Sequence, residues 1–116
     1  MASVQKTYAL VLGLVLAIVG IFGFFTSSIL GIFGVNVLQS VLHLIAAALG
    51  IYAGTQGDGI TYNSVLGWIA IVLGVLGLIP GVSGLLLSLL NINTAITVLH
   101  LAIGAVSLGV YYGVGE

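Results

Sequence analysis

Two histidines occur in the chain, and each stands in the same company. Asn36, Ser40 and His43 are spaced i, i+4 and i+7, and so are Asn93, Thr97 and His100. On a helix that spacing puts all three side chains of a set on one face. Imidazole is the residue that can ligate a tetrapyrrole metal, titrate near neutral pH, or simply hold one hydrogen bond. An asparagine opening each set suits an N-cap, its side-chain oxygen accepting from the free N–H groups of the first turn. Which of these chemistries is available depends on the medium around the helices, and composition defines that medium.

Of 116 residues, only Lys6, Asp58 and Glu116 are charged, while 61% are hydrophobic and the mean hydropathy is +1.43. Soluble domains carry charge on roughly a quarter to a third of their surface. A short chain has too much surface for its volume to hide this much apolar side chain from water. A soluble monomer is therefore excluded, as are a nucleic-acid module, which needs a basic face, and a disordered chain, which needs low hydrophobicity. The solvent of this chain is lipid.

Charge is missing from Thr7 to Gly57 and again from Gly59 to Gly115. A spanning helix needs about 20 apolar residues, so each stretch has room for two spans and a turn. Phe25-Thr26-Ser27-Ser28 interrupts the first and Pro80-Gly81-Val82-Ser83-Gly84 the second. Helices are predicted near 5–25, 36–54, 62–80 and 93–113, with Gly54–Thr61 as the polar loop between pairs. A membrane β-barrel would alternate apolar with polar residues; unbroken runs such as Ala9–Gly23 do not. Segments 29–35 and 82–90 are too apolar for free loops, and Gly84–Asn91 reads as a short interfacial or re-entrant helix. Four spans put Lys6, Asp58 and Glu116 on one side. Lysine on that side points to the cytoplasm, making this a multi-pass protein of the cell membrane with both termini inside.

The two halves repeat one another. At an offset of 54, Thr7-Tyr8, Val11-Leu12-Gly13, Gly20 and Gly23 coincide with Thr61-Tyr62, Val65-Leu66-Gly67, Gly74 and Gly77. At an offset of 57, Asn36, Ser40 and Val41-Leu42-His43-Leu44 coincide with Asn93, Thr97 and Val98-Leu99-His100-Leu101. Scarce residues such as Tyr, Asn and His do not coincide cheaply. The unit is a helical hairpin (5–54 and 61–113) within one domain of 1–116. An even number of spans returns the chain to its starting side, so the hairpins would be related by a pseudo-two-fold axis along the membrane normal. Because the first helix has an internal counterpart, it is expected to belong to the fold and not to a cleaved signal segment. With Phe33-Gly34-Val35-Asn36, Val41-Leu42-His43-Leu44 and this tandem layout, the chain resembles a broad family of small prokaryotic four-span membrane proteins known as a domain of unknown function. The resemblance implies the architecture and lends no activity.

Each histidine should lie about 10 Å inward from its asparagine, and polar side chains in lipid face the protein interior. The first reading is therefore structural: His43 and His100 bond a hydroxyl or a tyrosine of the first or third helix, and the stripe Asn36, Ser40, Asn93, Thr97 fixes packing without a cofactor. The alternative is a tetrapyrrole held by His43 and His100, a haem or chlorophyll-type pigment, preferably one without free propionates because no arginine is present to meet them. A third is a proton or small-solute path, which lacks an intramembrane carboxylate to hand a proton on. Two imidazoles fall short of a zinc site, and Gly54–Gly59 lacks the Lys-Ser/Thr of a phosphate loop. No Ser/His/Asp arrangement is available, so no catalytic residue and no enzyme activity is expected. Gly13 with Gly20 and Gly67 with Gly74 are seven apart and should line close helix seams. Gly50–Gly54 and Gly109–Gly113 have the spacing of packing or self-association motifs. The five tyrosines, Tyr8, Tyr52, Tyr62, Tyr111 and Tyr112, are expected to form an interfacial belt. The expected task is that of an accessory subunit or scaffold in the bilayer, partnered by itself or by a larger membrane complex.

Overall fold

In the computed structural model, residues 4–114 are described. The chain forms α1 (Val4–Phe22), a ribbon of β1 (Ser28–Ile29) and β2 (Phe33–Gly34), α2 (Val37–Gln56), α3 (Ile60–Leu76), α4 (Val82–Leu90) and α5 (Thr94–Val114). Among the described residues the architecture is all-α with five helices, and three of them, α1, α2 and α5, are long and apolar enough to cross a membrane. Helix ends differ from the predicted ones by a few residues for local reasons. Asn36 is the N-cap and so stands outside α2. Gly77 closes α3, although turns through Leu78 and Ile79 carry the coil onward.

Segment 29–35 is neither a helix nor an extension of one. Ser28 pairs with Gly34 and Ile29 with Phe33, antiparallel, and Leu30 and Gly31 take the left-handed backbone that turns the ribbon. Pairing satisfies backbone groups where apolar side chains keep water scarce. Segment 82–90 is the short helix expected of it, closed by Asn91 in the left-handed conformation.

The molecule is built with its small and polar residues inside. Buried positions include Ala9, Ala47 and Ala70, with Gly13, Gly20, Gly50, Gly54, Gly67 and Gly74, while large side chains such as Val11, Leu14, Ile18, Leu49, Ile69 and Val106 stand exposed. Lipid tails are as apolar as leucine, so helices associate here through close backbone approach and not through burial of large side chains. The principal pairings are α1 on α2 and α3 on α5. A Cβ added at Gly13 would come within 2.8 Å of the Ile51 N and 3.0 Å of the Ala47 O. At Gly67 it would meet the Leu108 side chain at 2.8 Å; at Gly20, the Leu44 side chain, also at 2.8 Å. Gly74 lies as tightly on Leu101. Close contacts between neighbouring helices thus run through Gly13, Gly20, Gly67 and Gly74. Gly50 and Gly54 serve packing too, against Tyr62 and Leu10, whereas Gly109 and Gly113 face open space.

The two pairs are stitched together at both ends. At one end Asn63 Nδ2 donates to the main-chain O and the Oε1 of Gln5, each at 2.9 Å, and Gln5 Nε2 donates to Val110 O at 2.8 Å. Both side chains are completely buried. At the other end α4 rests on the start of α2, and β2 rests on α5.

Candidate functional site: the paired polar stripes

Both asparagines cap their helices, as the sequence predicts. Asn36 Oδ1 accepts from Gln39 N at 2.8 Å, and Asn93 Oδ1 accepts from Ile96 N at 3.0 Å. Each also reaches out of its own hairpin. Asn36 Nδ2 donates to Leu89 O in α4, and Asn93 Nδ2 donates to Ile32 O in the ribbon turn, both at 3.0 Å. One side chain therefore sets the start of a helix and holds the opposite half against it.

Four residues on, the hydroxyls turn toward the neighbouring helix of the same pair. Ser40 lies against Gly23, and Thr97 lies against Gly77. Both residues are buried. Ser40 Oγ is sealed and has no partner. Thr97 instead borders a cavity of about 220 Å³ that also touches Asn93 and Thr94.

His43 and His100 are half-buried, on α2 and α5. In each ring Nδ1 is enclosed and has no hydrogen-bond partner. The expected bond to a hydroxyl or to a tyrosine is not made, and both tyrosines that turn inward are engaged with other partners. The Tyr62 hydroxyl donates to Ala46 O at 2.8 Å and lies over Gly50. Tyr8 and Ser107 share a 2.6 Å hydrogen bond. Gly50 and Ser107 each lie seven residues, about 10 Å, beyond the histidine of their helix. Among the described residues no cluster of three or more imidazole, thiol or carboxylate groups is assembled.

The belt of five tyrosines needs correction. Tyr52 and Tyr112 stand outward, each 66% exposed. Tyr8 and Tyr62 turn inward and cross from one helix pair to the other, because their hydroxyls find acceptors there that the lipid side does not offer.

The sequence pattern does not single out several polar residues that matter. Gln5 and Asn63 form the buried lock at one end. At the other, Gln39 Nε2 donates to Leu90 O at 2.7 Å and Gly34 O at 3.1 Å. Asn91 Nδ2 donates to Val35 O at 2.8 Å and Ser27 O at 3.0 Å. The available signal is the residue type itself: an amide inside an apolar stretch needs a partner, whatever its spacing.

Residues 6–113 match the family described as a domain of unknown function, DUF4383. No curated protein and no solved structure matches the chain. The chain therefore belongs to the DUF4383 family.

Proposed function

We propose that this family member is a non-enzymatic accessory subunit or scaffold of the cell membrane, four-span and built from two tandem hairpins. One observation carries the reading: amide N–H groups and phenols of the interior join helices to one another, while Asn63 Oδ1 and Gln39 Oε1 are left without partners. Gln5 with Asn63, Tyr8 with Ser107, Tyr62 with Ala46, Asn36 with Leu89 and Asn93 with Ile32 are all bonds between elements. Such contacts between membrane helices are worth about 0.6–2 kcal/mol each. An interior used this way makes a rigid, lipid-facing body and leaves its work to its outer faces.

For α3 as the fourth span, 17 residues fall within the range of about 17–25 for a transmembrane helix, and turns through Ile79 lengthen it. The duplication is supported contact by contact at the offsets of 54 and 57. Gly13 on Ile51 corresponds to Gly67 on Leu108, Gly20 on Leu44 to Gly74 on Leu101, and Gly23 on Ser40 to Gly77 on Thr97. The bond from Asn36 to Leu89 corresponds to that from Asn93 to Ile32. A pseudo-two-fold axis along the membrane normal is the simplest operator producing all four. Gln5 beside Val110 puts the start of α1 and the end of α5 together, in keeping with termini on one side, the cytoplasmic one by the Lys6 rule. The partner is a second copy or a larger membrane protein.

The test is in-membrane crosslinking of the tagged full chain followed by mass spectrometry. A stoichiometric crosslinked protein, or a dimer of the chain, is the expected result. Monomer only, together with solute flux in liposomes that disappears in His43→Ala, would overturn the reading in favour of a transport path.

A second reading rests on the orphaned Nδ1 atoms of His43 and His100. Buried polar atoms are normally paired, so rings whose enclosed Nδ1 holds no hydrogen bond are not explained by packing alone; Nε2, which is not among the sealed atoms, is the nitrogen that would ligate a tetrapyrrole metal. Lys6 stands near the start of α1, away from the capped ends of α2 and α5, so a pigment without free acid groups fits better than a haem with two. A visible absorption spectrum of protein from its native membrane decides it. Bands lost in both His43→Ala and His100→Ala establish a pigment, and a colourless preparation removes it.

A further inference from the structure

The cavity beside Thr97 has a feature that the stripe does not explain. Its wall brings together the first turns of two helices, Ser83 and Gly84 of α4 and Thr94 and Thr97 of α5, with Gly77 and Leu87 closing it. First turns carry N–H groups without intrahelical acceptors. Asn93 uses its Oδ1 on Ile96 N and its Nδ2 on Ile32 O, and its main-chain O on Thr97 N. Ser83 N and Leu85 N donate to Ile79 O and Gly81 O. The N–H groups of Gly84 and Thr94 meet no acceptor among the described residues.

A second, independent observation is the Thr97 side chain. It is 2% exposed and its hydroxyl has no hydrogen-bond partner among the described residues, yet it borders the cavity and is absent from the sealed orphan atoms that include Ser40 Oγ. Three donors without acceptors, Gly84 N–H, Thr94 N–H and the Thr97 hydroxyl, thus belong to residues that border the cavity, which Gly77 at the C-terminal end of α3 closes. A donor-rich wall at helix N-termini fits an oxyanion. At about 30 Å³ per water, 220 Å³ holds a tetrahedral anion with an ester arm.

We propose that this cavity binds a phosphate group, presented as the headgroup of an anionic lipid or as free phosphate. Gly84 N–H, Thr94 N–H and the Thr97 hydroxyl are its donors, and Ser83 adds a second hydroxyl. The proposal rests on the four-span reading to the extent that the ends of α3 and α5 then stand at headgroup depth. The first hairpin offers no such site. Its counterpart hydroxyl, Ser40, is sealed, and the cavity at the start of α2 is walled by Phe24, Phe25, Thr26 and Ser27 instead of a second helix N-terminus.

The experiment uses the full chain in detergent, with native mass spectrometry after addition of phosphatidylglycerol or phosphatidylcholine, and thermal melting with inorganic phosphate. One phosphatidylglycerol should be retained in preference to phosphatidylcholine, weakened about tenfold in Thr97→Val and in Thr94→Pro, since one hydrogen bond to a charged oxygen is worth about that factor. Proline at the first helical position removes the N–H while keeping the helix, so it answers even where the buried valine variant fails to fold. Ser40→Ala is the control and should bind as the unaltered chain does. Stabilisation by inorganic phosphate that depends on Thr94 and Thr97 would identify free phosphate as the source. Binding that neither Thr97→Val nor Thr94→Pro weakens, or no binding of either ligand, overturns the proposal. Failure of the chain to enter lipid nanodiscs would instead count against the four-span reading.

Discussion

The α1/α2 pair and the α3/α5 pair close in different ways around similar seams. Between α1 and α2 the contact at Gly13 is backbone on backbone: an added Cβ would reach Ile51 N, Ala47 O and Gly50 C at 2.8–3.0 Å. Between α3 and α5 the corresponding contact at Gly67 is made chiefly by the Leu108 side chain, at 2.8 and 2.9 Å, with the backbone N at 3.2 Å. The connections differ too. A short ribbon joins α1 to α2, and the nine-residue helix α4 joins α3 to α5. A shared pattern of glycines thus sets where two helices meet. What occupies the opposite surface sets how much change the meeting tolerates.

That difference predicts opposite outcomes for one substitution. Alanine is favoured over glycine in a helix by about 1 kcal/mol. At Gly67 the Leu108 side chain can turn aside, and Gly67→Ala should change stability by no more than about 0.5 kcal/mol, the propensity gain offsetting the crowding. At Gly13 no backbone atom can yield without separating the helices. Gly13→Ala should destabilise by about 2 kcal/mol net. Reversible unfolding in mixed micelles measures both, and equal effects at the two glycines would erase the distinction between the seams.

The next largest effect belongs to the lock that joins the pairs at one end. Asn63→Ala leaves the Gln5 Oε1 without its donor in a site closed to solvent. An unpaired buried polar group costs about 1–3 kcal/mol. A cycle with Gln5→Ala should give a coupling of about 1 kcal/mol. This lock has no equivalent in the other half, since the position matching Asn63 at the offset of 54 is Ala9. Additive single effects would mean that the amide pair is not what holds α1 to α3.

At the opposite end the two pairs should behave alike. Asn36→Ala and Asn93→Ala each remove a cap and a bond to the other half. A lost cap costs about 1 kcal/mol, and the two variants should fall within about 0.5 kcal/mol of each other by the scatter expected for equivalent sites. A clear inequality would show that α4 and the ribbon grip their asparagines differently.

Much of this was legible in the residues because their types are restrictive. An asparagine before an apolar run has one good use, so Asn36 and Asn93 read correctly as caps. Glycines seven apart suit the seam of a membrane helix, and Gly13, Gly20, Gly67 and Gly74 stand in close contact with a neighbouring helix. The ribbon was not legible: two-residue strands have too little alternation to register, and Leu30 in a left-handed turn violates its own preference. Gln5 and Asn63 escaped because their pairing spans 58 residues and depends on how α1 crosses α3, which no local pattern encodes. Tyr8 and Tyr62 misled for a related reason. Near a helix end a tyrosine suits the headgroups as well as it suits a neighbour's carbonyl, and only the packing distinguishes the two.

Those tyrosines give the smallest and most discriminating comparison. Tyr62 donates to Ala46 O, a carbonyl within α2 and available to the helix's own ladder, so Tyr62→Phe leaves no atom stranded. Tyr8 bonds Ser107 Oγ, and in Tyr8→Phe that hydroxyl can rotate to the carbonyl one turn back on α5. Each loss should therefore cost only about 0.6 kcal/mol, the typical worth of a polar contact between membrane helices. Their surroundings separate the two. Gly50 leaves the Tyr62 ring no room for a larger neighbour, since a Cβ there would stand 2.6 Å from the phenol oxygen. Removing that oxygen should make Gly50→Ala better tolerated in a Tyr62→Phe background than in the unaltered chain. The ring carbon Cζ, 2.7 Å from the same Cβ and retained in phenylalanine, and Ala9 O at 3.0 Å keep the rescue partial. A Gly50→Ala cost that is the same in both backgrounds would show that the ring carbon and α1, and not the phenol oxygen, set the clearance at the centre of the bundle.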